Sequence, residues 1–117
     1  VQAFLDQAGR DWYAYGDGEL ARVNAALAQG GTATLSPGLA AVVGRSLALA
    51  AASGGRFDPA LGDLVSLWGF DREERLVATT APPPADAVAA ARRRSGAAAD
   101  VVLEGDRLRS TRPVRID

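Results

Sequence analysis

Residues Val101 to Ser110 read Val-Val-Leu-Glu-Gly-Asp-Arg-Leu-Arg-Ser, two short runs joined by Gly105-Asp106. A β-branched run, a two-residue glycine turn and a second run that alternates polar with apolar positions make the pattern of a β-hairpin. After Pro113, Val114 and Ile116 alternate with Arg115 and Asp117, which predicts a further strand reaching the last residue. An all-helical bundle is thereby excluded.

Upstream of residue 101 the periodicity is helical. Val1, Leu5, Ala8 and Trp12 lie on one face of a helix that loses its pattern near Tyr13 to Gly16. Asp17 is placed to cap a helix from Gly18 to about Leu27, with Leu20, Val23, Ala26 and Leu27 as its apolar stripe and Gly30-Gly31 as its stop. Ser36-Pro37 is an N-cap followed by proline at the first helical position. Leu39, Val42, Val43, Leu47 and Ala50 then share a face as far as Ser53, and Gly54-Gly55 ends the helix. Asp58-Pro59 repeats the cap signal and opens a short helix ending near Trp68-Gly69. Residues 71–80 are charged and weakly patterned, Pro82-Pro83-Pro84 is a stiff connector, and 85–95 form a small helix with Val88 and Ala91 inward. The fold class is therefore α+β, several helices packed on a small antiparallel sheet. One hairpin and one strand are little sheet for five helices. Together with a chain that stops on a strand, and a first residue that is not methionine, this leads us to expect an incomplete part of a larger domain.

Composition narrows the chemistry. The chain has 117 residues, room for one core, and its 48% hydrophobic and 23% charged content is that of a globular protein. Thirteen basic residues, all arginine, face fourteen acidic ones, so no basic field exists to hold a nucleic acid. Cysteine and histidine are absent, which removes disulfides, thiolate metal sites and imidazole catalysis. No charged segment followed by an apolar run stands at the start of these residues, so no signal peptide is expected within them.

Two stretches carry candidate chemistry. In Gly54-Gly55-Arg56-Phe57-Asp58-Pro59, followed by Leu67-Trp68-Gly69-Phe70, the glycines expose backbone N–H groups that let a flat or anionic ligand come close, with an aromatic ring nearby. The structural alternative gives every residue a packing job, with Trp68 and Phe70 in the core. In Trp12-Tyr13-Ala14-Tyr15 three aromatics in four positions cannot all face one core, so at least one meets solvent or a ligand. The run Arg92 to Arg94 reads as a solvated helix end, and Asp71, Glu73 and Glu74, interleaved with Arg72 and Arg75, as a hydrated loop.

Taken in order, these segments resemble the N-terminal half of the ApbE family, the FAD:protein FMN transferases. Asp17-Gly18-Glu19-Leu20-Ala21-Arg22-Val23-Asn24 is similar to the family's D-S-E-L-S-R-L-N, and Leu35-Ser36-Pro37 to its V-S-P. Gly54 to Gly62 is similar to G-G-A-F-D-P-T-V-G, and Leu64 to Phe70 to L-V-N-L-W-G-F. The resemblance implies a magnesium-dependent enzyme that moves FMN from FAD to a Thr or Ser hydroxyl of a target flavoprotein, some relatives hydrolysing FAD instead. It places the family's flavin contacts on Arg56, Phe57 and Asp58. The stacking aromatic falls on Ala14, so the resemblance leaves that role to Tyr13 or Tyr15 beside it. The family's later L-G-G-x-A-K-G, its metal-binding Asp and Thr residues and its H-x-x-D-P motif are absent here. We therefore expect a single N-terminal segment over 1–117 that supplies part of the FAD pocket, with Mg2+ ligands outside it and no transfer by the segment by itself. The resemblance further implies a periplasmic setting with a lipid anchor upstream of Val1. The alternative reading is a non-catalytic flavin-binding or helical interaction module.

Overall fold

The computed structural model describes residues 1–71, 81–96 and 98–117. Helix α1 spans Gln2–Asp11, α2 Glu19–Ala28, α3 Pro37–Ala52, α4 Gly62–Trp68 and α5 Ala85–Arg93; strands are β1 Thr32–Thr34, β2 Val101–Glu104 and β3 Arg107–Ser110. The α+β architecture expected from the sequence is the one found. The sheet is antiparallel in the order β1-β3-β2, with Leu108 opposite both Ala33 and Leu103. Leu108 is fully buried at its centre.

The hairpin forms where expected, with Gly105 in the left-handed region at φ 63°. Strand β1 was not foreseen. Three residues are too short a run to show alternation. Pairing with β3, and a 2.7 Å bond from the Leu35 amide to the Asp106 carbonyl, create it from outside. The strand expected over 114–117 is corrected. Val114 and Ile116 are buried and Arg115 and Asp117 more open, so the alternation is real, but no ladder forms. The segment is held instead by irregular bonds, Gly62 N–H to the Arg115 carbonyl at 3.0 Å and Asp117 N–H to the Pro59 carbonyl at 2.9 Å.

Helix α3 follows its sequence signals. The Ser36 hydroxyl accepts from the Leu39 amide, Pro37 opens the helix, and Gly54 and Gly55 take positive φ after it. Leu39, Val43 and Ala50 are buried, whereas Val42, expected on the same face, is 44% exposed. Other boundaries differ. Helix α1 stops at Asp11 because the chain must turn back: Gly18 lies so close to the Arg10 carbonyl and Asp11 Cα that no side chain fits there. Helix α2 accordingly takes Gly18 as its N-cap, with no side-chain cap from Asp17. Its buried face is Leu20, Val23, Asn24 and Leu27, with Asn24 taking the place expected for Ala26. Helix α4 starts at Gly62, since the Asp58 carboxylate bonds the Ala60 amide in a local turn instead of capping the helix. Trp68 and Phe70 do not join the core; they are 43% and 71% exposed.

The core lies between the sheet and helices α2 and α3, around Leu27, Leu39, Leu108 and Val114. Helix α5 packs on α4, buries Ala91 and is tied by Arg94 to Asp63 at 2.9 Å. The charged loop expected over 71–80 lies, apart from Asp71, outside the described residues. Among the described residues no helix is long and apolar enough to cross a membrane.

Candidate functional site

The turn after α3 is built by one hydroxyl. Ser53 Oγ donates to the Ala50 carbonyl at 3.1 Å and accepts from the Phe57 amide at 3.0 Å, folding residues 53–57 tightly over the helix end. With Gly54 and Gly55 at φ 62° and 78°, the turn carries Arg56 and Phe57 outward. Phe57 is 41% exposed. Asp58 turns back, half-buried, and with Gly54, Gly55 and Gly96 borders a concavity of about 320 Å3.

The two candidate tyrosines lie elsewhere. Ala14 between them is buried in the core, Tyr15 packs against that core and Tyr13 is the more open of the two. Tyr13 and Tyr15 meet edge to face, with centroids 5.7 Å apart and planes at 73°. Tyr13 is half exposed, and its hydroxyl donates over a long 3.5 Å to the Asp71 carbonyl. Tyr15 is more enclosed, its hydroxyl donates over 3.5 Å to the Gly62 carbonyl, and the Arg115 guanidinium covers its ring at 4.6 Å. Burial, then the adjacent Asp117 carboxylate, push the Tyr15 phenol well above its ordinary range, because both disfavour a phenolate.

Tyr15 lines a second concavity of about 360 Å3, between α2 and residues 113–115. The structure thus joins Tyr13 with Tyr15 and keeps Arg56 to Asp58 together, but Tyr15 and Asp58 border different concavities. Residues 59–62 connect them: Asp58 sits at one end, and Gly62, bonded to both Tyr15 and Arg115, at the other.

Several supporting groups were not singled out from the sequence. Asn24 is buried and bonds both backbone groups of Ile116 at 2.8 Å. Arg115 donates to Ser66 Oγ at 3.0 Å, and Ser66 Oγ donates to Asp71 Oδ2 at the same distance. A signal existed for Asn24, a polar residue on an apolar helical face. None existed for Arg115, whose position reads as the solvent side of a strand. Among the described residues no group of three or more carboxylates gathers in a way that would hold a metal ion.

The comparisons with known proteins follow the same lines. The chain is 46% identical over 68 residues, 58% of its length, to the FAD:protein FMN transferase of Rhodobacter capsulatus, of which the match covers 13%. Its fold superposes on the apo form of the flavinyl transferase ApbE of Pseudomonas stutzeri with a TM-score of 0.83 and 29% identity, covering 99% of this chain and 36% of that one. On the flavin transferase ApbE of Vibrio cholerae the TM-score is 0.84 at 25% identity, with 99% and 37% covered. The chain therefore spans little more than a third of these solved relatives. The family model described as the ApbE family matches residues 2–117, and the chain belongs to that family.

Proposed function

We propose that this chain forms part of the FAD pocket of an FAD:protein FMN transferase. The reaction joins an acceptor Thr or Ser oxygen to the FMN phosphorus, breaks the phosphoanhydride bond of FAD, releases AMP and passes the hydroxyl proton to a base. The family match over residues 2–117, with a relative of that name 46% identical over 68 residues, carries the reading.

The chain's own residues support a binding role. The turn over 53–57 fixes the backbone that presents Arg56 and Phe57 at the surface, so that this backbone need not be ordered on binding. The exposed Phe57 ring offers an apolar face to a flavin, and the Asp58 carboxylate, accepting from Ala60 at 2.8 Å, keeps a second oxygen for a ligand donor. Tyr13 and Tyr15 supply the aromatic side. A magnesium ion, with ligands expected outside this segment, would neutralise the FAD diphosphate, and the part of this chain is to bind and orient the flavin. The partner is a flavoprotein bearing the acceptor hydroxyl, and a membrane-anchored periplasmic protein is the setting that the family resemblance favours.

Titrating FAD with the chain and following flavin fluorescence tests the reading. Weak but saturable quenching, lost in Asp58→Ala, is expected. Quenching that is linear in protein and the same in Asp58→Ala would overturn the pocket assignment in favour of a module without flavin.

A further inference from the structure

The concavity beside Tyr15 is lined by the small residues Ala14, Gly16 and Ala21 together with Asn24, Tyr15 and Arg115. Its charges are balanced. Asp63 pairs with Arg94, and Asp117 stands beside Tyr15 opposite the charge of Arg115. The space therefore suits a flat ring better than an anion.

Arg115 is held from several sides. Its carbonyl accepts from the Gly62 amide at 3.0 Å, and the next residue is gripped by Asn24 through two bonds. Nη1 donates to Ser66 Oγ at 3.0 Å, and Cζ lies 4.6 Å from the Tyr15 ring centroid. Gly62 leaves room for the arginine stem: a methyl group there would stand 2.6 Å from Arg115 Cγ. Tyr15, so covered, is the edge-on support of the half-exposed Tyr13 ring.

We propose that Arg115 is a positioning residue, whose guanidinium, fixed through Asn24, Gly62 and Ser66, locks Tyr15 and through it Tyr13 into an aromatic shelf for a planar heteroaromatic ligand. The inference rests on the flavin-pocket reading, since the shelf is that pocket's aromatic side. A planar guanidinium lies flat on a phenol ring while reaching Ser66 with a separate N–H, which an ammonium cannot do in the same way. Fixing two tyrosines beforehand removes the cost of ordering them when the ligand arrives.

The test compares the chain with Arg115→Met and Arg115→Lys in three measurements. These are far-ultraviolet circular dichroism for the fold, the near-ultraviolet tyrosine signal for the shelf, and fluorescence titration with FAD and with riboflavin, which has the ring but no phosphate. In Arg115→Met the fold signal should stay, the tyrosine signal should fall, and both flavins should bind about fivefold more weakly, the size of a lost ring–cation contact. Arg115→Lys should recover part of the tyrosine signal. An unchanged tyrosine signal in Arg115→Met, or unchanged flavin affinity where the parent chain binds, would overturn the proposal. If the parent chain binds neither flavin, the pocket reading fails, and the tyrosine signal still decides whether Arg115 holds the shelf. Should Arg115→Met not fold, Ser66→Ala removes the guanidinium's side-chain partner and gives the same readouts.

Discussion

Asn24 and Ile116, 92 residues apart, exchange two hydrogen bonds of 2.8 Å: the Asn24 amide donates to the Ile116 carbonyl and its oxygen accepts from the Ile116 N–H. A side chain on α2 thereby does for the last residues what a neighbouring strand does in a sheet. Both residues are buried, so neither backbone group has water as an alternative.

Replacing Asn24 by leucine should therefore be costly. Two buried backbone groups lose their partners, for a loss of about 3 kcal/mol. Asn24→Asp keeps the acceptor for the Ile116 amide, loses the donor and should fall between the two. Urea denaturation monitored by far-ultraviolet circular dichroism measures this, and an Asn24→Leu midpoint equal to that of the parent chain would refute the clamp.

Two glycines should respond in opposite directions. Gly9 lies on exposed α1 with nothing within 4 Å of an added methyl, so Gly9→Ala should stabilise by about 0.5 to 1 kcal/mol through helix propensity. At Gly18 the methyl would collide with the backbone of Arg10 and Asp11, and Gly18→Ala should cost about 2 kcal/mol or more. Thermal unfolding of the two variants side by side checks the contrast; equal midpoints would show that the turn between α1 and α2 is looser than described.

Glu19 joins two helix starts. Its carboxylate accepts from the Ser36 amide at 2.6 Å and from the Ser36 hydroxyl at 2.7 Å, while that hydroxyl accepts from the Leu39 amide and caps α3. Glu19→Ala should cost about 1 to 2 kcal/mol, since charge-assisted bonds are lost from a working cap. In a double-mutant cycle with Ser36→Ala the two losses should not add, and strict additivity would show that the residues act independently.

Tyr15 gives an alkaline signature. Burial first, and Asp117 second, raise its phenol above the ordinary 10.0. The unfolded chain then loses the proton before the folded one, so the Tyr15 contribution is whole below pH 10 and is lost as pH rises beyond it. Stability measured by urea midpoint should decline above that pH in the parent chain and decline less in Tyr15→Phe. Parallel declines in the two proteins would place the Tyr15 hydroxyl in open solvent.

The residues of the candidate site are singled out in the sequence by local patterns. Arg56, Phe57 and Asp58 stand out through the glycines before them, and Tyr13 and Tyr15 through the crowding of aromatics around Ala14. The Ser36-Pro37 start of α3, its glycine stop and the Gly105 turn are likewise set by residues within a few positions of one another, since caps and tight turns are short-range interactions. What tertiary structure decided was every feature whose partner lies far along the chain. Strand β1 exists because β3 offers it a ladder, and residues 113–117 stay out of the sheet because Asn24, Pro59 and Gly62 take their backbone bonds. Arg115 is drawn from a strand's solvent face to the ring of Tyr15, and Trp68 and Phe70 stay exposed although their residue types favour a core. Sequence pattern fixes which side of an element is apolar; which distant backbone group meets it depends on packing the whole chain, where the nearest unsatisfied hydrogen-bonding group captures each free amide and carbonyl.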